Sequence, residues 1–569
     1  MRTYFLWMLI MCILSSSCNR QSKNKKEQVY REVSQSYPVC GIPDLTDKAW
    51  YVSGKKAPLI KGLDGVSYLI TTKSPEAQKY FNQGLTLAYG FNHAEAARSF
   101  FEAARQDSTA AMCWWGYAFV LGPNYNAGME PGNFQRATDA VRKAKSYSAS
   151  CTQKEKDLID ALAHRYSSDT TIARAVLDSS YAAAMRRIYA TYADDATIGA
   201  LFAESLMDLH PWNLWKKDGS AQAWTPEILE VLEKSLQKDP AHVGANHLYI
   251  HAMEASQHPE KSMASANLLR DLVPGSGHLV HMPAHTYIRT GRYHDGVVTN
   301  LKAIQADSLY TETCYAQGMY PSAYYPHNYH FVAACATLGG ESKTALKVAQ
   351  EIALHTNKKL LLEKAWTPFQ NFYSMKWYVA VKLGIWDQIL RSSTDRDLKY
   401  PTVIWHYAQG MANLSQHDMK VARKHLSEMK MLLGDTALKS QSSWKQCVIA
   451  GKTLEGEIRA KEKNYPGAIL LLQEAVIDED SLNYAEPPDW PFSVRQNLGA
   501  VLLEAQKYKD AIRIYEEDLK LYPENGWALR GLMTAYEKLG YKDQYEQTRA
   551  RFKEAWKHAD IEISSSRIL

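Results

Sequence analysis

Ten of the 18 histidines lie between His242 and His330, most of them in three short segments. In the first, His247 and His251 stand four apart, with Glu254 three residues further on. In the second, His278, His281 and His285 follow at i, i+3 and i+7; in the third, His327 and His330 are three apart. Residues three and four apart share one face of an α-helix, so each segment offers a single stripe of imidazole. Neutral imidazole is a common ligand for zinc, copper, iron and nickel, and an i, i+4 pair can chelate one ion. His247, His251 and Glu254 supply two nitrogens and an oxygen from one helix. His278, His281 or His285 would complete a shell, while His327 and His330 would serve a second ion or orient the first set. The eight side chains suffice for one site or for two. The ion expected is a divalent transition metal (Zn, Fe or Cu), and no thiolate-rich motif accompanies the stripes. A packed, hydrogen-bonded network without metal is the bland alternative for any single one of them.

These stripes need helices to carry them, and helical periodicity begins at Pro75. Counting Gly84 as position 8 of a unit places Ala96 at 20, Phe100 at 24 and Ala103 at 27. Small residues at such positions let two helices approach, and the aromatic fills the gap beside them. The spacing recurs at Gly291, Gly296, Asn300 and Ala303, at Gly340 and Ala345, and at Gly499, Ala511, Tyr515 and Pro523; Gly451 to Ala475 repeats it more weakly. No run of period-2 alternation occurs. From about 75 to 555 the chain resembles tetratricopeptide (TPR) repeat proteins, which stack helix pairs of about 34 residues. The resemblance implies an all-α, TPR-type α-solenoid, a superhelix of antiparallel helix pairs with a concave face. It also implies that ligand contacts fall at positions 2, 5, 9, 12 and 13 of a unit. His278, His281, His285 and Arg289 then take 2, 5, 9 and 13, His327 and His330 take 2 and 5, and His247, His251 and Glu254 take 5, 9 and 12. All would face one groove. The histidine segments, together with Glu-Pro-Pro-Asp-Trp-Pro-Phe-Ser-Val-Arg-Gln at 486–496, are similar to a widespread bacterial group of large TPR proteins, a likeness that implies fold alone.

At 569 residues the chain exceeds one compact core. An apolar content of 46% with 22% charged residues is ordinary for a soluble folded protein. The net charge of +5 is small and scattered, which points away from nucleic acid. Met1-Arg-Thr, the apolar run Tyr4 to Leu14 and Ser15-Ser16-Ser17-Cys18 resemble a bacterial lipoprotein signal. That implies lipidation of Cys18, attachment to a membrane through the lipid alone, and a place in the bacterial cell envelope, periplasmic or at the cell surface. The expected division is a signal at 1–17, a tether at 18–36, a loop segment at 37–75, helical repeats at 76–240, the His-rich units at 241–355 and further repeats at 356–569. Six other cysteines, Cys40, Cys113, Cys151, Cys314, Cys335 and Cys447, would be either buried thiols or disulfides.

Beyond the metal set, Arg289, His210, Glu486 and Trp490 are candidate ligand-binding residues. His210 belongs to an aromatic turn that would close one end of the groove; Glu486 and Trp490 belong to a Pro-rich loop that would cover its opening. The reading that follows is an envelope TPR lipoprotein whose groove binds a transition-metal ion and a small ligand. Two alternatives stand beside it. One is a metal-dependent hydrolase or oxygenase using the same site, although no motif such as HExxH fixes a reaction. The other is an adaptor that captures a protein or peptide partner without metal.

Overall fold

The computed structural model describes residues 48–314, 316 and 320–569; the leader, Cys18, the tether and Cys40 lie outside them. Among the described residues there is no β-strand, only isolated bridges at Asn124–Ala127 and Trp215–Ala221. Helices follow one another as antiparallel pairs, beginning with Pro75–Tyr89 and His93–Gln106. Ser74 caps the first by accepting from the Ala77 N–H, with Pro75 at a position whose missing N–H costs nothing. Asn92 caps the second by accepting from the Glu95 N–H.

The repeat spacing has a direct steric cause. Phe100 is fully buried, and its ring lies against two glycines one unit apart: a Cβ at Gly84 would come to 2.8 Å of it and one at Gly116 to 2.4 Å. Tyr515 plays the same part between Gly499 and Gly531, where added Cβ atoms would come to 2.4 and 2.1 Å. One aromatic thus wedges between successive helix pairs, and only glycine leaves room for it. This is the TPR packing rule in atomic form, and the fold is an all-α TPR-type solenoid.

The His-rich middle runs through Val243–Glu254, Met263–Leu272, Gly277–His281, Pro283–Arg289, Tyr293–Thr313 and Tyr325–Leu338. Pro283 starts a new helix rather than continuing the old one, since it has no N–H to donate back along the chain. The later repeats fold back onto this middle. Trp527 donates its indole N–H to the Thr337 carbonyl at 2.9 Å, and the Tyr293 hydroxyl donates to the Pro523 carbonyl at 2.8 Å. Asp560 accepts from the Ser342 N–H at 2.6 Å and the Lys343 N–H at 3.2 Å.

The last residues return between the C-terminal helix pairs. Ser566, fully buried, donates from its hydroxyl to the Gln496 carbonyl at 2.7 Å, and Lys382 donates to the Ser566 carbonyl at 2.8 Å. Arg567 pairs with buried Glu457 and, at 2.6 Å, with Glu504. Cys113, Cys151, Cys314, Cys335 and Cys447 are all free thiols. No helix among the described residues is long and apolar enough to cross a membrane.

Candidate metal centre

Each stripe is placed by an identifiable contact. The helix Val243–Glu254 is buried along its whole length. Gly244 admits the Tyr89 ring, which a Cβ would meet at 2.5 Å, and the Tyr89 carbonyl accepts from His247 Nδ1–H at 2.5 Å. The second stripe begins at Gly277 because Asp307 packs against it; a Cβ there would lie 2.0 Å from Asp307 Oδ1. The His278 N–H donates to the Tyr320 hydroxyl at 2.9 Å, and that hydroxyl donates to Asp307 Oδ1 at 2.8 Å.

The histidines form two adjoining cups. His247, His251 and His278 bring ligand nitrogens within 4.8 Å of one another, and so do His281, His285 and His327. The cups touch: the ring centres of His251 and His285 are 5.6 Å apart, as are those of His278 and His281. Glu254 spans both. Its Oε1 accepts from His251 Nδ1–H at 2.7 Å, and its Oε2 accepts from His285 Nδ1–H. With both oxygens engaged, Glu254 orients imidazoles instead of offering itself as a ligand. Phe91 packs on the first cup, 4.5 Å from His247 between ring centres; Tyr125 and Trp212 lie against His251; Phe331 lies 4.6 Å from His285. The side chains converge as the repeat numbering expects, but inside a closed, aromatic-walled interior, not an open groove. His247 and His281 are 0% exposed, and only His327 of the six keeps part of its surface.

Hydrogen-bond partners fix which nitrogen is bare. His247 gives Nδ1–H to a carbonyl, and His251 and His285 give theirs to the Glu254 carboxylate. His281 gives Nδ1–H to Asn300 Oδ1 at 2.6 Å, because the Asn300 amide nitrogen is already donating to the Gly296 carbonyl at 2.8 Å. In all four, Nε2 is left with a lone pair. Nε2 of His247 and of His251 is buried without a partner, and both nitrogens of His278 are likewise unpaired. The sharpest case is His281 Nε2 and His285 Nε2, which face each other at 2.9 Å. Two lone pairs at that distance repel unless a cation lies between them. A tetrahedral ion with bonds of about 2.0–2.1 Å to nitrogen would hold two ligands about 3.3 Å apart, so a shift of a few tenths of an ångström accommodates it.

A proton is a poor substitute for that cation. Burial, and then the neighbouring His285, push the pKa of His281 well below the ordinary imidazole value. Burial and the adjacent histidines do the same for His247, His278 and His327. Burial alone would raise Glu254, but His285 and His251 beside it hold its carboxyl down at about 2. The centre therefore sets six imidazoles, two of them hydrogen-bonded to Glu254, around one carboxylate.

The remaining candidates lie elsewhere. His330 points away from both cups, its ring 5.4 Å from Phe372 and its Nε2 buried and unpaired. Burial pushes it down to about 3. Arg289 is a clasp: it donates to the carbonyls of Glu254, Ser256 and Leu521 and stands 3.9 Å from Glu486. Glu486 is buried, with its carboxyl raised to about 7 by burial against the pull of Arg289. Its loop does reach the centre, through a Tyr484 hydroxyl 3.5 Å from Glu254 Oε2. Trp490 packs between Tyr378 and Tyr407 beside the C-terminal tail. His210 stacks on Trp224 at 3.7 Å; in its segment it is Trp212 that reaches His251. Residue spacing does not mark Tyr89, Phe91, Tyr125 or Phe331. Asn300 did leave a signal, being a polar residue where the first unit has Phe100.

No family model matches the chain, and no curated protein matches it. Among solved structures, human IFIT1 in a dimer with m7Gppp-AAAA is 13% identical, over 88% of this chain and 94% of that one, with a TM-score of 0.31. The TPR domain of P58(IPK) is 14% identical over 84% and 92%, with a TM-score of 0.20. The APC/C hetero-tetramer Cut9-Hcn1 is 15% identical over 83% and 90%, with a TM-score of 0.26. Scores this low carry no argument about ligand or partner. On its own helix pairing and glycine–aromatic wedges, the chain is a tetratricopeptide-type repeat protein.

Proposed function

We propose that this protein is a cell-envelope TPR lipoprotein that holds transition-metal ions in a buried six-histidine centre. The observation that carries the reading is the pair of bare nitrogens, His281 Nε2 and His285 Nε2, opposed at 2.9 Å, each with its other nitrogen committed to an acceptor. Buried polar groups without partners are rare in folded proteins, and a set of them aimed at one another calls for a ligand. Elemental analysis of tag-free protein tests the reading. Metal bound tightly through desalting, and lost in a His251→Ala, His281→Ala variant, supports it; unchanged metal content in that variant refutes it. Anchoring through Cys18 is tested by Cys18→Ala, which should move the protein from the membrane fraction to the soluble one. Each cup supplies three protein ligands, the number that leaves a coordination position open for chemistry. This is the feature that favours a hydrolase or oxygenase variant of the same reading.

A second reading, a peptide-binding adaptor, rests on the chain's own C-terminus. Lys382, Gln496 and Tyr515 bind the Ser566 backbone and hydroxyl, and Glu457 with Glu504 binds Arg567. These groups now hold a short, bent stretch of the chain's own peptide. A chain lacking residues 562–569 should bind a synthetic Ser-Ser-Ser-Arg-Ile-Leu peptide; no binding would remove this reading.

A further inference from the structure

We propose that the two cups are filled together, making a dinuclear centre of two cuprous ions, each held by three imidazoles, with Glu254 as the carboxylate they share in the outer shell. The inference rests on the metal-binding reading and specifies how many ions there are and of what charge. Three observations carry it.

First, the donors divide evenly. His247, His251 and His278 form one complete three-nitrogen set and His281, His285 and His327 another, each within 4.8 Å. Neither set borrows from the other, so filling one cup leaves the second with its bare nitrogens still unsatisfied. Second, Glu254 gives one oxygen to each cup, to His251 and to His285. A carboxylate serving a single ion would have no reason to split in this way, whereas one that fixes the tautomer in both cups prepares two sites at once.

Third, the charge balance selects the oxidation state. Imidazole ligates metal in its neutral form, and Glu254 is the carboxylate in hydrogen-bond contact with the rings. Glu486 and Arg289 stand 3.9 Å apart as an oppositely charged pair and leave this balance unchanged. Two divalent ions would leave a net charge of three in an interior where the ligands are almost wholly buried; two monovalent ions leave one. The cost of burying charge rises steeply with its magnitude. Of the metals that imidazole favours, copper is the one with an accessible monovalent state. Cuprous copper also accepts three-coordinate nitrogen ligation, which is what each cup provides.

The test is stoichiometry on the full chain. Chelator-treated protein is loaded anaerobically with cuprous salt, desalted and analysed for copper per chain, with far-UV circular dichroism confirming the fold. The expected result is two for the wild type, and one each for His278→Asn and His327→Asn. His327 is the least buried ligand, so its variant is the safer of the two for folding, and the wild-type value stands without either. One copper per wild-type chain overturns the dinuclear proposal and leaves the metal reading intact. No retained metal of any kind overturns both. Two zinc ions retained in the presence of equimolar cuprous copper overturn the assignment of copper.

Discussion

His278 offers the most direct way to tell a ligand from a structural residue. Both of its ring nitrogens are buried without a partner, and the ring is walled by Tyr324, His247 and Phe91 at 4.9, 5.0 and 5.6 Å between centres. In the metal-free chain each unmade hydrogen bond costs about 1–3 kcal/mol. His278→Leu removes both nitrogens at similar volume. Against that gain stand the lost aromatic contact with Tyr324, about 0.5–1.5 kcal/mol, and about 1–3 kcal/mol of shape mismatch. Taken at the centre of each range, the balance favours the variant by about 1 kcal/mol, opposite in sign to the typical buried substitution. Metal reverses the order: an ion at a thousand times its Kd stabilises the wild type by about 4 kcal/mol, and the variant cannot use its first cup. Denaturant unfolding followed by circular dichroism, after chelation and again after copper loading, reads both arms. A metal-free His278→Leu chain less stable than wild type, or a rank order that metal does not reverse, refutes the reasoning.

Glu254→Gln offers one acceptor where the carboxylate offers two. Either His251 or His285 must then change tautomer and turn an N–H toward its ion, and metal affinity measured by chelator competition should fall about 10–100-fold. Asp307 is fully buried and its carboxyl is raised from 3.8 to about 7, burial outweighing the hydrogen bonds from Tyr320 and Asn328. Because the folded state holds this proton more tightly than the unfolded one, the contribution is complete below about pH 3.8 and is lost as pH rises to about 7. Relative to Asp307→Asn, the wild type should therefore lose about 4 kcal/mol between those limits; parallel pH profiles of the two unfolding midpoints would contradict this. Arg567→Ala strands Glu457, whose side chain is 0% exposed, and should destabilise the C-terminal repeats by about 3–5 kcal/mol. Adding Glu457→Gln should recover part of that loss in the same melts.

The fold was legible because its packing rule acts through residue size at fixed spacing. The small–large spacing of Gly84, Ala96, Phe100 and Ala103, and of Gly499, Ala511 and Tyr515, marks the helix pairs without any knowledge of the third dimension. Gly116 and Gly531, the far sides of the wedges, emerge only in the structure. The site was legible in part for a similar reason: helical periodicity aligns His247 with His251, and His278 with His281 and His285. What periodicity does not encode is which neighbour takes the second nitrogen. Glu254 reads as a ligand by spacing, yet the cup geometry commits both its oxygens to imidazole N–H groups. His330 shares a stripe with His327 on paper, but a rotation of about 60° over three residues is enough to turn its ring onto Phe372. The walls come from Phe91, Tyr125 and Phe331, far apart in sequence. No local pattern marks them.

Closure of the interior bears on what the centre is for. The contacts that seal it are long-range in sequence: Trp527 to Thr337, Tyr293 to Pro523, Arg289 to Leu521 and Tyr484 to Glu254. A repeat array that only displayed ligands to a partner would gain from an open concave face. Here the later repeats bring their own backbone carbonyls against the helices that carry the histidines. His327 alone among the six retains exposure, so the second cup is the one that solvent and small chelators can approach. An ion held in the first cup, as proposed, would have to leave past Phe91, Tyr125 and Trp212, or through the second cup. Such an arrangement suits long retention or chemistry within the protein better than rapid hand-over to a partner, because fast exchange would require separating repeats that more than 200 residues of intervening chain have folded into contact.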